Sequence, residues 1–128
     1  MGAITELDII DTGIVRELMG VVADSDNQFM SELLEGFVRD ATAALERMRR
    51  NALMNDAPSL AREAHRLKGS SATMGAIRLA AACFAMERSA KSGICHGLEP
   101  QVDSALAILD ATRSGLTQFF RGTIAAAV

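Results

Sequence analysis

Between Asn27 and Leu53 the chain reads NQFMSELLEGFVRDATAALERMRRNAL, and Phe29, Leu33, Phe37, Ala41, Ala44 and Met48 recur in it at spacings of three and four. That is the period of one face of an α-helix. At 1.5 Å per residue, a helix over this stretch runs ~40 Å, long for a small domain and suited to be the spine of a bundle. On its N-terminal side lies the polar, cap-rich run Ala23-Asp24-Ser25-Asp26-Asn27. Before that, Asp11 or Thr12 offers an N-cap to Ile14, Val15, Leu18 and Met19, which predicts a short helix over about residues 12–22. The stretch Ile4 to Ile10 is apolar but short.

On the C-terminal side, Asn55-Asp56-Ala57-Pro58 joins a cap residue to a proline tolerated only in a first helical turn. Leu60, Ala64, Leu67, Ser71 and Met74 then mark one stripe. Gly69, Ser70, Ser71 and Gly75 loosen the pattern, so a turn is predicted near Ala72 to Met74. Leu79, Cys83, Met86 and Ala90 resume the helical period up to Lys91-Ser92-Gly93, where glycine supplies a left-handed C-cap. Glu99-Pro100 opens the last helix, with Val102, Leu106, Leu109, Leu116 and Phe120 on its buried side, and the chain is predicted to fray after Arg121-Gly122. The pattern reads as an all-α protein, an up-down antiparallel four-helix bundle capped by a short N-terminal helix. Residues 1–10 form an N-terminal extension, 11–121 the bundle and 122–128 the tail.

Composition agrees. In 128 residues there are 22 Ala and 13 Leu, with 2 Pro, no Trp and no Tyr, so helix formers dominate and strand-favouring aromatics are nearly absent. Apolar residues at 49% and charged residues at 23% are ordinary globular usage. A net charge of -3 withholds the positive field on which nucleic-acid binding rests. No window approaches the ~18 apolar residues of a membrane span, and Met1 to Leu7 lacks the pattern of a signal peptide. The expectation is a soluble, cytoplasmic chain in which Cys83 and Cys95 are reduced thiols, or the cytoplasmic part of a larger protein.

The run Ala61-Arg-Glu-Ala-His65-Arg-Leu-Lys68-Gly69-Ser70-Ser71 carries the chemistry. His65 follows the buried-stripe residue Ala64 by one position, about 100° round the helix, so it faces outward. Lys68 at i+3 lies on the same side and can bring its ammonium to the space above the ring. Gly69 at i+4, where a side chain would normally cover the imidazole, has none, although glycine in mid-helix costs ~1 kcal/mol relative to alanine. A bare imidazole flanked by Arg62 and Lys68 suits a nucleophile that accepts a doubly charged group from a bulky partner.

Ala64-His65-Arg66-Leu67-Lys68-Gly69-Ser70-Ser71, followed by Gly75-Ala76, resembles the signature of histidine-containing phosphotransfer (HPt) domains of two-component phosphorelays. The resemblance extends from about Asp11 to Glu87. It implies that His65 is the phosphoryl acceptor through Nε2, that Lys68 is its charge partner and that Gly69 provides clearance. It further implies exchange with the aspartates of response-regulator receiver domains, which bring the acidic pocket and Mg²⁺, so that this chain needs no cofactor. The docking face would surround His65 and include Ala61, Arg62, Arg66 and Ala72. A monomer is expected, either free-standing or as the terminal module of a hybrid histidine kinase.

Other readings carry less. A zinc site from His65, Cys83, Cys95 and His96 lacks any short paired spacing. Glu46-Arg47-Met48-Arg49-Arg50 near a helix C-terminus reads as a solvated face that complements the dipole. Most methionines fall at core spacing. There is no Gly-rich nucleotide loop and no carboxylate pair for acid-base catalysis, so the chain is expected to be a phosphocarrier and not a kinase. The rival from another class is an interaction module that sequesters a partner without phosphotransfer.

Overall fold

A computed structural model describes residues 9–21 and 27–127. Its helices are α1 (Thr12–Val21), α2 (Asn27–Leu53), α3 (Ala57–Thr73), α4 (Ile77–Lys91) and α5 (Glu99–Ala127), with no strand among the described residues. α2 packs on α3, α3 on α4, α4 on α5, and α5 returns to α2, so the four long helices close a ring around one core. The connections at residues 54–56 and 74–76 are too short for anything but antiparallel neighbours. Leu45, Met48, Leu60, Leu79, Met86, Val102 and Leu116 are fully buried in this core. Each contributes about 1.5–3 kcal/mol relative to an exposed side chain.

The predicted caps form. Asp11 Oδ1 accepts from Ile14 N at 3.1 Å, and Asp56 Oδ1 accepts from Ser59 N at 3.2 Å with Pro58 in the first turn of α3. Gly93 takes φ +89°, and Ile94 N donates back to Ser89 O at 2.9 Å, closing α4. Gly75 has a second duty besides its φ of +75°. Asp11 N donates to its carbonyl at 2.8 Å, and a Cβ there would lie 2.8 Å from Val15 Cγ2. The α3–α4 turn is thus the seat on which α1 caps the bundle, with Ile10 and Val15 buried beneath.

Three expectations shift. α3 runs on to Thr73, so the turn begins at Met74 and not at Ala72. α5 continues to Ala127 instead of fraying after Arg121-Gly122, because alanine-rich sequence loses little by remaining helical. Ile10, assigned to the extension, is part of the core. Residues 1–8 of that extension and the cap-rich segment 22–26 lie outside the described residues. Among the described residues no helix is long and apolar enough to cross a membrane, and no group of three or more His, Cys, Asp or Glu is placed to hold a metal.

Candidate functional site

The buried stripe of α3, Leu60, Ala64, Leu67 and Ser71, fixes the rotation of the helix against the core. His65, one position beyond Ala64, consequently emerges with its side chain 67% exposed. Its ring is nevertheless held. Nδ1 lies 2.8 Å from Glu87 Oε2, across the packed pair α3 and α4. The Glu87 side chain is only 3% exposed, because it shares the inward side of α4 with Cys83, Met86 and Ala90.

A buried carboxylate stays ionised only if it is paired. Glu87 is paired three times: Lys68 Nζ sits 2.7 Å from Oε1, and Lys91 Nζ sits 3.0 Å from Oε2 beside His65 Nδ1. The hydrogen bond from Lys68 dominates, Lys91 and His65 add to it, and together they outweigh burial and bring the carboxyl down to about 2. An ionised carboxylate can only accept. The proton of this hydrogen bond therefore belongs to Nδ1, and in the neutral ring the lone pair is on Nε2. Two ammonium groups against one carboxylate leave the cluster with an excess positive charge beside that lone pair.

Lys68 is placed differently from expectation. Its ammonium does not stand free above the imidazole but is committed to Glu87, and it lies 5.2 Å from the centroid of the half-exposed Phe84 ring. Arg88 approaches the same ring at 5.8 Å. Gly69 leaves open space: a Cβ built on it meets nothing within 4 Å. Nothing inside the chain demands glycine there, so what the missing side chain spares is the volume outside.

Of the residues assigned to a docking face, Arg62, Arg66 and Ala72 are exposed. Ala61 is not: it is 9% exposed and belongs to the core, since it follows Leu60 on the inner side of α3. It drops out of the face. Arg62 Nη2 donates to Ser59 Oγ at 3.0 Å, and Arg66 Nη1 lies 3.5 Å from Glu63 Oε1, so neither flanks the ring as an unengaged cation.

Sequence reasoning missed Glu87 and its partner Lys91. A signal existed. Glu87 falls beside Met86 and four residues after Cys83, on a stripe that is otherwise apolar, and a carboxylate there needs a cation. Which cation, and from which helix, had no local cue. Cys83, next to this cluster, is inert: burial, with the Glu87 charge adding to it, pushes its thiol up to about 12. Cys95 is likewise buried and raised by burial, its Sγ 3.4 Å from Asn55 Oδ1.

The fold is shared with a known protein. The solved structure of histidine-containing phosphotransfer protein B (HptB) from Pseudomonas aeruginosa PAO1 matches with a TM-score of 0.75 at 27% identity, covering 88% of this chain and 94% of that chain. No curated protein matches the chain by sequence. The family model of the Hpt domain matches residues 32–119, well over half of the chain and including α3, α4 and the His65–Glu87 pair. With the bundle, the exposed ring and this match in agreement, the chain belongs to the Hpt domain family.

Proposed function

We propose that this histidine phosphotransfer domain relays a phosphoryl group through Nε2 of His65, exchanging it with the aspartate of a receiver domain. The observation that carries the residue assignment is the hydrogen bond from Nδ1 to an ionised, buried Glu87 on an otherwise exposed ring. Nε2 attacks the phosphorus of an aspartyl phosphate. The N–P bond forms as the P–O bond to the aspartyl carboxyl group breaks, and the electron pair of that bond leaves with the carboxylate. No proton has to move, because Nδ1 keeps its hydrogen. The ring gains positive charge as it bonds to phosphorus, and Glu87 is aligned to stabilise it through Nδ1–H. Lys68 and Lys91, held on the same carboxylate, offset the charge of the phosphoryl oxygens. The reverse transfer uses the same contacts.

In this proposal the chain supplies an oriented nucleophile and the receiver supplies the rest, including the carboxylates for Mg²⁺. It carries no cofactor and acts as a monomer, free-standing or attached to a hybrid histidine kinase. Exposed Arg62, Arg66 and Ala72 border the ring on the face that the receiver approaches.

Transfer profiling against the receiver domains of the source organism tests the assignment. The unaltered chain is expected to acquire an acid-labile label, and His65→Gln to lose it with helical circular dichroism unchanged. Undiminished labelling of His65→Gln would sink the proposal, and a partner that binds both forms equally without labelling either would favour an adaptor. Lys68→Ala is expected to slow transfer or shorten the lifetime of the phosphohistidine without unfolding the bundle. Unchanged kinetics would remove Lys68 from the mechanism.

A further inference from the structure

Arg47 and Arg50 of α2 and Arg62 and Arg66 of α3 line one concavity of about 300 Å³ together with Glu63. These residues come from two separate stretches of sequence, and the bundle brings their guanidinium groups to one face. Their compensation is incomplete. Glu63, whose side chain is 14% exposed, accepts from Arg47 at 2.8 Å and from Arg66 at 3.5 Å. Arg62 has only the neutral Ser59 hydroxyl, and no carboxylate pairs with Arg50 among the described residues. Asp56 is near enough to feel the charge of Arg62, but it is committed to capping α3 and forms no ion pair with it.

Two arginines elsewhere in the bundle are each paired with a carboxylate of another helix. Arg49 reaches Asp103, and Arg113 lies 3.0 Å from Glu35. Unbalanced like charge drawn together across a helix interface destabilises a lone domain. Here it stands out further because the chain as a whole carries -3. Two features join this face to the site. Arg62 and Arg66 lie three residues before and one after His65 on α3, and the concavity continues past Arg47 and Arg66 into a groove floored by Ala41, Ala44 and Leu67.

We infer that the face built by Arg47, Arg50, Arg62 and Arg66 is a docking surface for an acidic patch on the protein that exchanges phosphoryl groups with His65, and that it selects among receivers by charge. The inference rests on the proposed function and deepens it. A phosphorylated donor is itself anionic at the atom to be delivered, so a positive face beside the acceptor both steers the encounter and favours the correct approach. Receivers with a neutral or basic surface around the phosphorylation site are discriminated against by the same arginines.

The test uses the receiver domain that phosphorylates the full chain fastest in the profile. The measured quantities are the chain concentration giving half-maximal transfer and the maximal transfer rate, at about 50 and about 300 mM salt, between which the screening length shortens from roughly 14 to roughly 6 Å. Arg50→Glu combined with Arg62→Glu is expected to raise the half-maximal concentration about tenfold or more at low salt, with a much smaller change in the maximal rate. The penalty should shrink at high salt. Arg50→Lys with Arg62→Lys, which keeps the charge, is expected to stay within about twofold of the parent. A half-maximal concentration within about twofold of the parent in the double glutamate variant, or a penalty indifferent to salt, overturns the docking surface while leaving His65 as acceptor. A chain that no receiver phosphorylates overturns the acceptor assignment, and this inference with it.

Discussion

Two carboxylates, Glu87 and Glu63, each gather cations from two helices at the edge of the α3 surface, and they do opposite things with them. Glu87 is almost fully enclosed, and its oxygens are taken by His65, Lys68 and Lys91 at 2.7–3.0 Å. Its environment is closed and ordered, and what it presents outward is a single oriented ring. Glu63 is partly exposed and holds Arg47 and Arg66 at its edge, within a face where arginines outnumber acids. What it presents outward is uncompensated charge. The contrast suggests a division of labour on one helix: chemistry requires saturation of the hydrogen bonds around the reacting group, whereas attraction of a partner requires that charge be left unsatisfied.

The same substitution at both carboxylates breaks or sharpens this contrast. Glu87→Gln is expected to have the larger effect, because it leaves two ammonium groups beside a neutral amide. Stability should fall by roughly 1–3 kcal/mol in chemical denaturation. The amide can donate as well as accept, so Nδ1–H is no longer enforced, and the ring nitrogen shifts in ¹⁵N NMR should move from the Nδ1–H tautomer toward a mixture. Phosphotransfer should slow with them. An unchanged tautomer in that variant would show that Glu87 does not orient the ring.

Acid separates the parent from Glu87→Gln along the pH axis. The folded-state carboxyl of Glu87 is depressed to about 2, below its ordinary value of 4.5, so its stabilising contribution is complete above about 4.5 and is lost as pH falls through about 2. The stability difference between the parent and Glu87→Gln is therefore expected to be constant at neutral pH and to close across that acid window, as read from denaturation midpoints. A difference independent of pH in that range would mean that the carboxylate is not the source.

Gly69 gives a smaller effect of opposite sign. Its Cβ position is open, so Gly69→Ala should raise stability by about 0.5–1 kcal/mol through helix propensity. Gly69→Gln, which extends into the space beside the ring, should slow transfer from a receiver without loss of fold. The smallest effect is at the second carboxylate: Glu63→Gln should cost about 1 kcal/mol or less, since its partners Arg47 and Arg66 stay solvated and the neutral amide can still accept from them. It should lower the concentration of chain needed for half-maximal transfer from an acidic receiver, because it frees arginine charge. A stability loss equal to that of Glu87→Gln would erase the contrast.

Much of the fold was legible in the sequence. The helix periods over residues 27–53 and 57–73 and the caps at Asp11, Asp56 and Gly93 are local features, and each was readable because its cause lies within about four residues. The exposure of His65 follows in the same way from its offset to Ala64. Ala61 was misplaced because its burial depends on how closely a neighbouring helix approaches, which the α3 pattern alone does not specify. Lys68 was placed on the correct side of α3, but its partner is a carboxylate nineteen residues away on another helix. The basic run around Arg47 read as one solvated face, whereas Arg49 turns to Asp103 and Arg47 and Arg50 turn toward α3.

By itself the sequence determined the helices, the capped starts of the first and third and the glycine-capped end of the fourth, the outward-facing histidine and the glycine that leaves it uncovered, because periodicity and capping act within one or two turns. Only the tertiary structure decided which nitrogen of His65 is left with the lone pair, that Lys68 and Lys91 share Glu87, and that four arginines meet on one face. Those outcomes depend on the rotation and register of α2, α3 and α4 about a common core, a property of how side chains from distant segments pack together and not of any one segment.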